Sequence, residues 1–138
     1  MFASLLQTNW NPHSRHTFLY WVNAMTDSGR TTVHQIIQLE QLTTREYVYN
    51  PNLVIKRQST ESRMNNEQYY LGDLTHEQRQ RVLYLAQRIP FNPWSQVNGC
   101  QVWLRDLLQC MLNEHIITQA VFNWVCQDIP LYERQPEH

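Results

Sequence analysis

Three side chains in this chain carry the chemistry of covalent catalysis: His16, His34 and Cys100. A cysteine nucleophile needs a thiol that gives up its proton, a histidine that takes and returns it, and a polar group that orients the histidine. Cys100 opens the most regular helical pattern in the chain. Apolar residues stand at Cys100, Trp103, Leu104, Leu107, Leu108, Met111 and Leu112. These offsets place them on one continuous face at helical period. Asn98 is a good N-cap residue, and Gly99 lets the backbone turn in tightly. Cys100 is therefore expected in the first turn of a helix running to about Asn113. There, free N–H groups and the helix dipole favour a thiolate. The competing reading makes Cys100 the first core residue of an amphipathic helix, since free cysteine often behaves as a small buried hydrophobe.

Strands must carry the histidines if they are to reach that thiol. His16 opens a predicted strand, 16–22, rich in aromatic and β-branched residues. His34 lies in the next, 31–39. If these strands are neighbours, both imidazoles can share one sheet face, and a helix packed there would bring Cys100 to them. Otherwise His16 sits in solvent at a strand end and His34 is an ordinary cross-strand neighbour. His13, His76, His115 and His138 fall in loops, at helix ends or in the tail.

Further strands are expected at 2–7, 45–50, 53–57 and 68–72. Turns or loops are expected at 8–14, 27–30, 41–44 and 58–67. Thr75 with Gln78 has capping-box spacing and starts a helix that Pro90 stops. Thr118 caps a last helix, 119–127, with Ala120, Val121, Trp124 and Val125 facing inward. Strands first and helices afterwards imply an α+β fold, an antiparallel sheet with C-terminal helices packed on it. Residues 1–132 are expected to form a single domain, and 133–138 a polar tail.

Composition narrows the function classes. The chain has 138 residues, 42% hydrophobic, with a net charge of −1. That is enough for a core, and no basic surplus exists to drive nucleic-acid binding. The three cysteines, Cys100, Cys110 and Cys126, form no C-x-x-C pair. A disulfide framework is not expected, and a reducing, cytoplasmic setting fits. No signal peptide and no membrane span is read from the apolar runs.

The stretches His16-Thr-Phe-Leu-Tyr-Trp-Val, Thr32-Val33-His34 and Asn98-Gly99-Cys100-Gln101-Val102-Trp103 resemble an uncharacterised family of short fungal proteins. That pattern is similar in turn to the permuted NlpC-type papain-like fold, which includes the lecithin–retinol acyltransferase group. Gly99 stands where the fungal family has asparagine before the cysteine, and Thr17-Phe18 where it has Trp-Ala. The resemblance implies a permuted papain-like fold with Cys100 as nucleophile, His16 as base and His34 as the residue orienting His16. The implied activity is transfer or hydrolysis of an amide, ester or thioester on a small-molecule or peptide acyl substrate, with no cofactor. The rival is a catalytically inactive papain-like domain that binds a protein or small ligand. Trp10, Trp21, Trp94, Trp103 and Trp124 would then line a groove or fill the core, core being expected of Trp103 and Trp124. A zinc site from His16, His34 and Cys100 is chemically allowed, but the spacing carries no zinc signature.

Overall fold

The computed structural model describes residues 2–8, 16–26, 31–49, 51–57, 66–129 and 131–137. They form antiparallel strands and three helices, the α+β composition that the segregated sequence pattern implies. They cluster into two compact units, residues 1–37 with 51–73, and residues 38–50 with 74–138. The expected loop at 58–67 lies mostly outside the described residues, as do Trp10, His13 and the turn at 27–30.

The first unit is a five-stranded antiparallel sheet. Its strands are β1 (Phe2–Thr8), β2 (His16–Thr26), β3 (Thr31–Ile37), β6 (Asn52–Arg57) and β7 (Asn66–Asp73), ordered β6-β3-β2-β1-β7. The longest strand, β2, lies at the centre. Leu19 pairs with Leu5 on one side and with Ile37 on the other. Successive side chains Phe18, Leu19, Tyr20 and Trp21 are all buried, so both pleat parities of β2 are covered. This explains why the sequence there is an unbroken apolar run and not an alternation. Phe18, Tyr20 and Ile36 form one cluster, with the Phe18 and Tyr20 rings edge-to-face at 6.2 Å. The pairing of β1 with β7 shifts register beside Gly72, whose φ of +143° suits glycine alone.

The second unit is built around a helix. A short hairpin joins β4 (Leu39–Gln41) to β5 (Tyr47–Tyr49). Three helices follow: α1 (His76–Arg88), α2 (Cys100–Asn113) and α3 (Gln119–Asp128). β4, α1 and α3 all pack on α2. The expected capping box is present at α1: Thr75 Oγ1 accepts from the Gln78 N–H at 3.1 Å, and Gln78 Oε1 accepts from the Thr75 N–H at 2.9 Å. Thr118 caps α3 by a single bond, its Oγ1 accepting from the Val121 N–H at 3.2 Å.

Helix α2 has the expected bounds and buries Trp103, Leu104, Leu107, Leu108 and Met111, joined by Val102. It ends in a Schellman arrangement. The Ile116 N–H donates to Met111 O at 2.8 Å, the His115 N–H donates to Leu112 O at 3.0 Å, and His115 adopts φ +62°. Helix α3 matches the expected inward face only in part. Val125 is buried as expected and Val121 is half-buried, but Ala120 is exposed, Trp124 is 45% exposed, and Phe122 is buried instead. Away from the polar side at Gln119, Asn123 and Gln127 the apolar residues spread widely, so period alone does not fix the inward face; the large Phe122 ring takes the interior. Among the described residues no helix is long and apolar enough to cross a membrane.

Candidate functional site

The start of α2 concentrates the polar chemistry of the second unit. Asn98 was expected to cap the helix, but Gly99 occupies the cap, without a side-chain bond. Gly99 is closely approached there: a Cβ on it would lie 3.0 Å from the Tyr47 hydroxyl, which would have to give way by a few tenths of an ångström. Tyr47 is held in place by its own N–H, which donates to Pro93 O at 2.7 Å and ties β5 to the segment before α2.

Relieved of capping, Asn98 is buried and does something else. Its N–H donates to Ser95 Oγ at 2.9 Å. Its side-chain Oδ1 accepts from the Gln135 N–H at 2.8 Å, and its Nδ2 donates to Gln135 O at 2.7 Å. One amide thus pairs with both backbone groups of one residue. Nδ2 also reaches the Glu137 carboxylate at 2.9 Å, to which Ser95 Oγ donates at 2.7 Å. Further along α2, Arg105 donates to Leu131 O at 3.1 Å and to the Glu133 carboxylate at 3.2 Å. Arg134 donates to Asp106 Oδ2 at 2.7 Å and to Pro90 O at 2.6 Å. The residues expected to be a polar tail are therefore seated along the first half of α2.

Cys100 does stand in the first turn of α2, as expected. Its thiol does not have the expected electrostatics. Burial pushes its pKa up to about 11; the nearby Glu40 carboxylate pushes the same way, and the residue's own N–H only partly opposes them. The fields at a helix start favour a thiolate, but here desolvation outweighs them. The Tyr47 phenol is raised as well, first by burial and then by Cys100. Glu40 in turn accepts a hydrogen bond from Gln38 Nε2 at 2.8 Å. Behind this group, the Tyr49 ring packs against Trp103 at 5.6 Å, and Trp103 is fully buried, as expected.

The two histidines lie on the first unit's sheet. His16 is the first residue of β2, opposite Thr8 of β1. His34 is on β3, opposite Val22 of β2. The strands are neighbours, and positions 16 and 34 share a pleat parity with 18, 20 and 36. Yet position 16 and the partner of 34 are six residues apart on β2, about 20 Å along the strand. The register therefore does not bring His34 to His16 as an orienting partner. Among the described residues no group of three His, Cys, Asp or Glu is placed to hold a metal ion.

Sequence reasoning missed Asn98, Arg105, Asp106, Arg134, Gln135 and Glu137 as one constellation. The only signal was complementary charge, Arg105-Asp106 against Glu133-Arg134, and charge alone does not pair segments 28 residues apart. No known protein family, curated protein or solved structure matches the chain.

Proposed function

We propose that this chain is a non-catalytic binding module, of the permuted papain-like kind in the order of its motifs, with its binding surface at the start of α2. The observation that carries this reading is the setting of the Cys100 side chain, removed from water beside the Glu40 carboxylate, which favours the thiol over the thiolate. A cysteine nucleophile attacks as thiolate, and a pKa of about 11 leaves Cys100 as thiol at neutral pH. The register of β2 and β3 adds support, since the Cys-His-His scheme needs His34 within hydrogen-bond reach of His16 and the strands hold them about 20 Å apart. What the site does have is a set of directional donors and acceptors: the Asn98 amide, the Ser95 hydroxyl, the Arg105 guanidinium and the Asp106 carboxylate. These suit recognition of another polar chain better than attack on a carbonyl.

Two measurements on the intact protein test this. Mixed with an activated ester such as p-nitrophenyl acetate, it should give no stoichiometric burst. The pH midpoint for alkylation of Cys100, followed by mass spectrometry, should lie above 10 and stay there in His16→Ala. A burst abolished by Cys100→Ala, or an alkylation midpoint below 7 that rises in His16→Ala, would restore acyl transfer as the function.

A further inference from the structure

The binding surface at the start of α2 already holds a polypeptide segment, and the way it is held points to a ligand class. Residues 131–137 lie along it with their side chains exposed after Leu131. Tyr132, the largest of them, is 61% exposed. Apolar burial is therefore confined to Leu131 at one end, and polar contacts hold the rest. The Arg105 guanidinium marks position 131 by its carbonyl and position 133 by its carboxylate. Asp106 and Pro90 O mark position 134 by its guanidinium. Asn98 marks position 135 by its backbone N–H and C=O. Ser95 and Asn98 mark position 137 by its carboxylate.

We propose that this surface is a groove for an extended peptide of the form Leu-x-Glu-Arg-x-x-Glu carried by another polypeptide, and that residues 131–137 occupy it in cis as a masking strap. The contacts that hold the strap are of a kind an incoming chain reproduces. The Asn98 amide recognises backbone, so it accepts any residue except proline at position 135. The ion pairs are partly exposed, Arg134 and Asp106 at 32% and 30%, and Glu133 at 81%. Exposed pairs of this kind are individually weak. Segments with few buried apolar contacts open at lower free energy than the helices they lie on. Tethering nonetheless gives the strap an effective concentration on the order of millimolar. A free peptide making the same bonds competes poorly until the strap is loosened.

The inference rests on the non-catalytic reading above, and the two fail separately: thiol chemistry tests that one, and peptide binding tests this one. The test uses the full chain and a fluorescein-labelled peptide spanning residues 129–138, read by anisotropy. Gln135→Pro in the protein removes the N–H that donates to Asn98 and loosens the strap, leaving the groove side chains untouched. The peptide should bind Gln135→Pro at least ten-fold more tightly than the parent. Adding Asp106→Ala to the protein, or changing Arg134 to Ala in the peptide, should each weaken binding several-fold. Equal binding to parent and Gln135→Pro, or no binding to either, would overturn the proposal. So would loss of the helical circular dichroism in Gln135→Pro, because the segment would then be part of the fold and not an occupant. Dimer formation in step with the signal, seen by sedimentation, would also overturn it by making a second copy the partner.

Discussion

A single thiol shows how the balance of local fields decides chemistry. Cys100 has the helix start that lowers a thiol pKa and the burial that raises it, and burial wins. The consequence for stability has a definite sign. An unfolded chain returns the thiol to an ordinary pKa of roughly 8.5. Below that pH both states keep the proton and stability is intact. Between about 8.5 and 11 the unfolded chain loses its proton first, so stability falls as pH rises through this window, by roughly 3 kcal/mol. Urea unfolding at pH 8 and at pH 10.5 should show the parent losing about 2 kcal/mol more than Cys100→Ala between the two conditions. Parallel losses would mean that the thiol is not desolvated in the folded protein. The Tyr47 and Tyr49 phenols, also raised by burial, act in the same direction at higher pH in both proteins.

At the scale of elements, the helices owe their ends to short-range chemistry. Thr75 with Gln78 and Thr118 with Val121 satisfy N–H groups that a helix start leaves open. The end of α2 carries a cost. His115 takes the left-handed position of a Schellman motif, where a Cβ is unfavourable by about 1 kcal/mol and glycine is at ease. His115 is exposed, so its side chain contributes little packing to offset this. His115→Gly is expected to raise the unfolding free energy by about 0.5–1 kcal/mol, part of the gain being returned through the freer unfolded chain. A lowered thermal midpoint in that variant would mean that the imidazole makes a stabilising contact at the helix end.

For the whole molecule, the governing fact is that neither compact unit is one contiguous piece of chain. The backbone passes between them after residues 37, 50 and 73, because the β4–β5 hairpin is inserted between two strands of the sheet. The hairpin supplies Leu39 and the Tyr49 ring to the packing around α2, and its Tyr47 N–H ties down the segment before α2. Cutting at residue 74 therefore does not liberate a complete helical unit. A fragment of residues 74–138 should lose the cooperative near-ultraviolet melt of the whole protein and bind a hydrophobic dye, since Trp103 loses its Tyr49 cover. A fragment that melts as sharply as the whole protein would show that the hairpin is dispensable to the helices.

The sequence by itself determined what depends on neighbours within a few residues. The caps at Thr75 and Thr118, the bounds of α2, its stripe through Leu107 and Leu108, and most strand positions along 2–57 were legible because hydrogen-bonding chemistry and side-chain period act locally. The exception is the single strand expected at 31–39, which is two strands, β3 ending at Ile37 and β4 starting at Leu39, in different sheets. The sequence did not determine the exact face of α3 that turns inward, because its apolar residues cover most of the circumference and burial takes Phe122 in place of Trp124. Strand register set the distance between His16 and His34, and register belongs to a pair of strands and not to either one. The pKa of Cys100 depended on burial beside Glu40, 60 residues earlier in the chain. The role of Asn98 changed for the same kind of reason: locally it reads as a helix cap, and only a segment 37 residues later, brought alongside by folding, offers its amide a complete set of partners.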